Sequence, residues 1–226
     1  MPNSESKPKT IIRVWDIGTR LFHWLLVGLF GLSVYSAFQD KFGIYADMHL
    51  YSGFTILTLV VWRFVWGLVG SETSRFSQFV KSPKTILQYL RGEREQSVGH
   101  NPLGGWSVSV MLTLLTVQAG LGLFATDDMI FSGPLSGGIS ESLAADLTSL
   151  HKTMGLILFA FVGLHVAVIL AYGLVRKVNL VWPMITGWAA RDEKDATLQQ
   201  PRMASPLLAL MTFGVVAGAL YFFILA

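Results

Sequence analysis

Five long apolar stretches, separated by polar segments, dominate this chain of 226 residues. They cover about residues 20–38, 48–69, 105–125, 150–174 and 206–225. A membrane-spanning helix needs roughly 20 predominantly apolar residues, and each stretch has about that length. The pattern therefore predicts an all-α integral membrane protein, with a four-helix transmembrane bundle followed by a fifth, C-terminal transmembrane helix.

The composition agrees with a membrane protein and excludes several kinds of chemistry. The chain is 52% hydrophobic and only 14% charged, and it contains no cysteine. The absence of cysteine rules out disulfides, iron–sulfur clusters held by thiolates, covalently attached c-type haem and thiol catalysis. A b-type haem held by histidine alone remains compatible with this composition.

The basic residues predict the orientation. Fifteen of the 17 Lys and Arg residues fall on the side of the N-terminal tail, and Lys41 and Lys152 fall on the other. The positive-inside rule makes the first side cytoplasmic. We therefore expect a multi-pass protein of the bacterial cytoplasmic (inner) membrane, with a cytoplasmic N-terminus and a periplasmic C-terminus. Because the net charge of +3 largely reports this topology, we expect membrane lipid as a partner and no nucleic acid.

The polar segments complete the predicted organisation. Residues 1–19 form a cytoplasmic tail, 20–180 the four-helix domain, 181–205 a cytoplasmic linker and 206–226 the fifth helix. Within the cytoplasmic loop 70–104, Ser82-Pro83 predicts the start of a short amphipathic helix and Gly92 its end. The periplasmic loop 126–148 contains four acidic and no basic residues: Asp127, Asp128, Glu141 and Asp146. This loop could attract a basic soluble electron carrier, although a simple solvated loop explains the same charges.

Two histidines stand out in the fourth stretch. His151 and His165 are fourteen residues apart, which in a helix places both on one face and about 21 Å apart along the axis. Because a bilayer core is about 30 Å thick, one histidine would lie near each membrane surface. Histidines within membranes usually face the bundle interior, a polar cavity or a bound group.

The predicted depths sort four histidines into two pairs. His49 and His151 lie near the outer surface, and His23 and His165 lie in the inner half. Two imidazoles on facing helices at equal depth are what a six-coordinate b-type haem requires. Hydrogen bonding between helices is the alternative for each histidine alone. A zinc or copper site is weaker, because the two pairs are too far apart to share one metal ion.

Basic residues near these histidines are candidates for binding the haem carboxylates. Arg20 lies one turn before His23 on nearly the same face, and could pair with a propionate of the inner haem. Lys152, Arg63 and Arg13 are further candidates. Ordinary snorkelling explains Arg20 equally well and the others better.

Two further features have open roles. His100, in GHNPLGGW, is expected to be a loop histidine, either capping the third helix or lining an entry for quinone or protons. The fifth stretch has no histidine and no charge, but its Gly214 and Gly218 form a small-residue face suited to helix contact. The fifth helix is therefore predicted to be dispensable for haem and to serve packing, or a homo- or hetero-oligomer.

Several segments resemble the prokaryotic cytochrome b561 family, which includes cytochrome b subunits of nickel–iron hydrogenases. They are VWDIGTRLFHW, WRFVWGLVGSETSRFSQFV, GHNPLGGW and LHKTMG…GLH, within roughly residues 11–180. The resemblance implies a four-helix core with two b-type haems, the inner one on His23 and His165 and the outer one on His49 and His151. It also implies electron exchange with quinone or quinol.

The function expected from these observations is electron transfer across the membrane between the quinone pool and a periplasmic redox partner, either a c-type cytochrome or a hydrogenase-like subunit. The protein would then be an electron carrier or the quinone-reactive subunit of an oxidoreductase complex. Alternatives are a membrane anchor for a peripheral oxidoreductase and a superoxide:quinone oxidoreductase. A proton relay through the histidines is disfavoured by the lack of carboxylates within the apolar stretches.

Overall fold

The computed structural model describes residues 9–39, 43–92, 97–127, 131–192 and 199–225. Lys41 and Asp128, named above, lie outside these residues. The elements in chain order are β1 (Lys9–Arg13), α1 (Ile17–Ala37), α2 (Ile44–Val69), α3 (Phe76–Phe79), α4 (Pro83–Leu90), α5 (Pro102–Gly122), α6 (Glu141–Leu174), α7 (Val181–Thr186), β2 (Trp188–Asp192) and α8 (Pro206–Leu220). A π-helical turn, Tyr221–Leu225, extends α8.

Five of these helices are long and apolar enough to cross a membrane. They are α1, α2, α5, α6 and α8 with its extension, and their mean hydropathy lies between 1.3 and 2.5. Each coincides with one of the five apolar stretches, which confirms the predicted set of spanning segments. Their outward faces expose large apolar side chains such as Phe159, Leu170 and Phe222, as expected for surfaces in contact with lipid.

Helix α2 is the centre of the bundle, because α1, α5 and α8 all pack against it. Its side chains Val60, Trp62 and Trp66 are almost completely buried. Helix α6, in contrast, packs principally on α5. Much of the α6 surface therefore lacks close contact with another helix. This surface includes part of the face that carries His151 and His165.

Helix α8 belongs to the core through one face only. The Trp62 indole donates a hydrogen bond to the Thr212 hydroxyl (3.0 Å), and Val216 is buried between the helices. Gly214 and Gly218 lie elsewhere on α8, where a Cβ added to either glycine would meet no atom within 4 Å. The fifth helix therefore packs against α2 without using its glycine face.

The two segments expected to be a tail and a linker pair with each other. Strands β1 and β2 form an antiparallel ladder from Lys9 opposite Asp192 to Arg13 opposite Trp188. We call the bundle end that carries this sheet and residues 70–101 the sheet side. The opposite end, with the α5–α6 connection, is the far side. The sequence pattern did not reveal this sheet, because its strands are nearly 180 residues apart and each is only five residues long.

Residues 70–92 and 97–101 fold partly back into the bundle. Ser71 and Ser74 are fully buried and Phe79 is 2% exposed. Helix α4 begins as predicted, with the Ser82 hydroxyl accepting a hydrogen bond from the Thr85 amide, and it ends before Gly92, which has a left-handed φ of 88°. The first part of this loop is thus a packed cap on the sheet side.

Candidate cofactor site

The structure brings His49 and His151 together near the far side, from α2 and α6. Their ring centroids are 6.1 Å apart and the ring planes are almost perpendicular, at 88°. Metal–imidazole bonds are about 2.0–2.1 Å long. The separation therefore suits two rings that bind one metal atom between them, which is the arrangement expected of axial haem ligands.

Hydrogen bonds set the tautomer of both rings. The Nδ1 atom of His49 donates to the Ser33 carbonyl of α1 (3.0 Å), and that of His151 donates to the Gln118 carbonyl of α5 (3.0 Å). A carbonyl oxygen only accepts, so Nδ1 carries the proton in each ring. Nε2 then keeps its lone pair, as in histidines that ligate a metal while their other nitrogen binds a carbonyl.

A cavity of about 510 Å³ surrounds this pair and is lined by α1, α2, α5 and α6. Its walls include Gly53, Gly122 and Gly155. A Cβ on Gly122 would come within 3.1 Å of the His151 ring. A glycine at this position therefore leaves room for the imidazole. A largely apolar cavity with two imidazole nitrogens fits a flat, hydrophobic group held by axial ligands.

Gln118 is a residue that the sequence analysis overlooked. Its amide nitrogen lies 3.2 Å from Nε2 of His151, and its Oε1 is buried without a hydrogen-bond partner. The amide therefore contacts the nitrogen that would face the metal. The sequence held a signal, because Gln118 is an isolated amide side chain in the otherwise apolar third stretch.

The other two candidate ligands are placed toward the sheet side. His23 packs edge-on against Trp24 at 5.0 Å between ring centroids, and its buried Nδ1 has no hydrogen-bond partner. His165 is close enough to His23 to interact with it electrostatically. An Nδ1 atom without a partner is expected if the His23 ring makes its main interaction with a bound group and not with hydrogen-bonding groups of the protein.

Leu158 separates the two regions. It lies on α6 midway between His151 and His165, seven residues from each, and therefore on nearly the same helix face. Its side chain is only 2% exposed and belongs to the bundle core. Two cofactors held by these histidines would be divided by a dry aliphatic layer.

His100 is part of the packed cap on the sheet side. Its ring lies between Trp15 and Phe79, at 4.7 Å from each ring centroid, and its Nδ1 is buried without a partner. The cap of α5 is Asn101, whose side chain accepts from the Gly104 amide (2.7 Å). The side chain that caps α5 is therefore that of Asn101. Capping was one of the two roles predicted for His100, and its neighbour fills this role.

The surroundings of His100 predict a pH dependence of stability. Desolvation lowers the pKa of His100 from 6.5 to about 3, and the charges of Arg63 and His165 act in the same direction. As the pH falls, the unfolded chain therefore binds a proton at His100 at a higher pH than the folded chain does. The contribution of His100 to stability is complete above pH 6.5 and is lost as the pH decreases toward 3. Unfolding of haem-depleted wild type and haem-depleted His100→Phe should show a steeper acid loss in wild type, by up to about 1.4 kcal/mol per pH unit. Equal slopes would contradict this prediction.

The basic residues near the histidines differ in their contacts. Arg20 donates to the Ile185 carbonyl at the end of α7, while its Nε is buried and unpartnered. Lys152 is exposed and lines the far-side cavity. Arg63 is 2% exposed. All three lie near a histidine pair, and the role of Arg20 toward a propionate stays a prediction.

Asp16 organises the sheet side. It is 2% exposed and caps α1 by accepting from the Thr19 amide (2.8 Å). Its carboxylate also accepts from the hydroxyls of Thr19 and Ser74, at 2.8 Å each, and from the Trp66 indole at 3.4 Å. This buried carboxylate fixes the start of α1, and hence His23, relative to α2 and the cap.

Comparison with known protein families gives a match over most of the chain. The family model described as prokaryotic cytochrome b561 matches residues 14–187, which include all four candidate ligands and the cap. A search of curated proteins finds no match.

Proposed function

We propose that this chain holds two b-type haems and moves electrons across the membrane. The chain belongs to the prokaryotic cytochrome b561 family and is therefore a membrane b-type cytochrome of electron transfer. The observation that carries this proposal is the His49–His151 pair, with its 6.1 Å spacing and both Nδ1 atoms donating to carbonyls. The depth of His165 and the Nδ1 atom of His23, which has no partner among the described residues, support a second pair.

The chain's own residues position and insulate the redox groups. A haem held by the two histidines of each pair would supply one-electron redox chemistry. Ser33 and Gln118 hold the far-side rings in the ligating tautomer. Leu158 and its neighbours exclude water from the region between the pairs. These features favour electron transfer over oxygen chemistry.

The proposed reaction would join the quinone pool within the cytoplasmic membrane to a redox partner on its periplasmic side. The sheet side, with its many Lys and Arg residues, would be cytoplasmic and the far side periplasmic. Quinone or quinol in the bilayer would be one redox partner, and a periplasmic electron-transfer protein the other. The open Gly214 and Gly218 face of α8 offers a contact surface for a second subunit.

The direct test is the haem content of the purified full-length protein. We expect a ratio of two haems per chain and a reduced-minus-oxidised spectrum typical of low-spin b-type haem. The ratio follows from two histidine pairs that are about 21 Å apart along α6. A ratio of one would contradict the second pair, and a protein without a Soret band would contradict the whole proposal.

A further inference from the structure

Arg63 is a buried cation whose bonding within the described chain is incomplete. It lies in α2 and is 2% exposed. Its Nη2 donates to the Ser74 carbonyl (3.0 Å), and its guanidinium carbon lies over the rings of Phe76 and Phe79 at 5.4 and 5.8 Å. Its Nη1 is buried and has no hydrogen-bond partner among the described residues. Buried charges in proteins are normally paired, so this donor indicates an anion that the described residues do not supply.

Asp16 is the obvious partner, but it is committed elsewhere. Its oxygens accept from Thr19, Ser74 and Trp66. Ser74 stands between the two charges, since its hydroxyl donates to Asp16 and its carbonyl accepts from Arg63. Asp16 therefore compensates the charge of Arg63 at a distance without satisfying Nη1.

His100 brings a second unpartnered nitrogen to the same place. Its ring and the Arg63 guanidinium both pack on Phe79, at 4.7 and 5.8 Å. The Nδ1 of His100 is buried without a partner, as is Nη1 of Arg63. Arg63 and His100 thus bring two unpartnered nitrogens to one region of the described structure, and a carboxylate has two oxygens that can accept from two donors.

The depth of Arg63 identifies which carboxylate this is. Arg63 follows His49 by fourteen residues, the same spacing that separates His151 from His165. Helices α2 and α6 both run from the far side to the sheet side, and His49 is level with His151. Arg63 is therefore at the depth of His165, about 21 Å from the far-side pair.

We infer that Arg63 and His100 together bind one carboxylate of the sheet-side haem, an inference that rests on the proposed function. Arg63 would donate Nη1–H to one oxygen and His100 would donate Nδ1–H to the other. The site is preorganised, because Ser74, Phe76 and Phe79 hold the guanidinium in place before the carboxylate arrives. Arg63 was among the further candidates for a haem carboxylate in the sequence analysis, whereas His100 was not.

The test compares haem with its dimethyl ester, which lacks the two negative charges. Full-length His49→Ala protein, expected to keep only the sheet-side site, is depleted of haem and titrated with each compound. We expect the ester to bind roughly tenfold more weakly or worse, as for loss of one charged hydrogen bond. In His49→Ala/Arg63→Gln, haem itself should bind about as weakly as the ester, and esterification should then cost no more than about twofold.

Two controls make the comparison specific. Arg75→Gln removes an exposed arginine of the same segment and should leave the full ester penalty. In a His165→Ala background, which keeps the far-side site, Arg63→Gln should not change binding. An undiminished ester penalty in Arg63→Gln would overturn the inference while leaving the proposed function intact. A parent protein that binds no haem would instead contradict the proposed function.

Folding of the arginine variant is checked separately. Arg63→Gln in otherwise wild-type protein should retain the far-side haem, which reports an intact bundle. If that haem is lost as well, the same ester comparison in His100→Phe decides the question. A reduced ester penalty there supports the carboxylate site, and a full penalty overturns it.

Discussion

Replacing His49 with alanine should halve the haem content of the purified protein, and replacing His165 should remove the other of the two proposed haems. Each substitution deletes one of two axial ligands, and a b-type haem has no covalent attachment to retain it. The two losses are independent because Leu158 and its neighbours fill the space between the pairs. Haem per chain should fall from two to one in each single variant and to zero in the double variant.

The assignment of the four histidines to two pairs allows a stricter test of this prediction. His151→Ala should remove the same spectral component as His49→Ala, and His23→Ala the same component as His165→Ala. Met48→Ala, at the same level of α2 as His49, is the matched control and should keep both haems. Loss of the same component from His49→Ala and His165→Ala would show that the depth assignment is wrong.

Replacing Asp16 with alanine destabilises the protein by about 3 kcal/mol, more than a typical single substitution. The change removes the cap of α1, worth about 1 kcal/mol, and leaves the buried Trp66 indole and one of the two hydroxyls of Thr19 and Ser74 without an acceptor. Equilibrium unfolding in detergent measures this loss, with haem absorbance as a second signal. We expect the sheet-side haem to be lost before the far-side haem, because Asp16 holds the start of α1.

Two variants separate the contributions of this carboxylate. Asp16→Asn keeps one acceptor oxygen for the α1 cap and should lose roughly half as much stability. Asp47→Ala removes an exposed aspartate from the first turn of α2, and should change stability by no more than about 1 kcal/mol. Equal losses in Asp16→Ala and Asp47→Ala would contradict a structural role for the Asp16 network.

The spanning helices could be predicted because their signal is local. Twenty apolar residues in a row leave few alternatives, and the Ser82-Pro83 start of α4 likewise depends on neighbouring residues only. The sheet could not be predicted, since neither KTIIR nor WAARD has a pattern strong enough to indicate a strand alone. The packing of α8 on α2 could not be predicted either, because nothing in the sequence pattern indicates that Trp62 and Thr212 contact each other.

The candidate site was predictable where it depends on helix periodicity. The fourteen-residue spacing and the order of spans placed His49 level with His151, and the structure places their ring centroids 6.1 Å apart. Periodicity says nothing about which donors surround a ring. The carbonyls of Ser33 and Gln118, and the convergence of Arg63 and His100 on Phe79, arise from packing between distant segments.

The β1–β2 ladder imposes an order on the biosynthesis of this protein. Residues 9–13 leave the ribosome first, but their pairing partners at 188–192 follow only after four of the long helices have been made. At about 5–20 residues per second, β1 waits roughly 10 seconds or longer for β2. The closing of this ladder therefore comes late in maturation, once α1, α2, α5 and α6 exist. A chain interrupted before residue 188 would carry all four candidate histidine ligands while its first strand still lacked a partner.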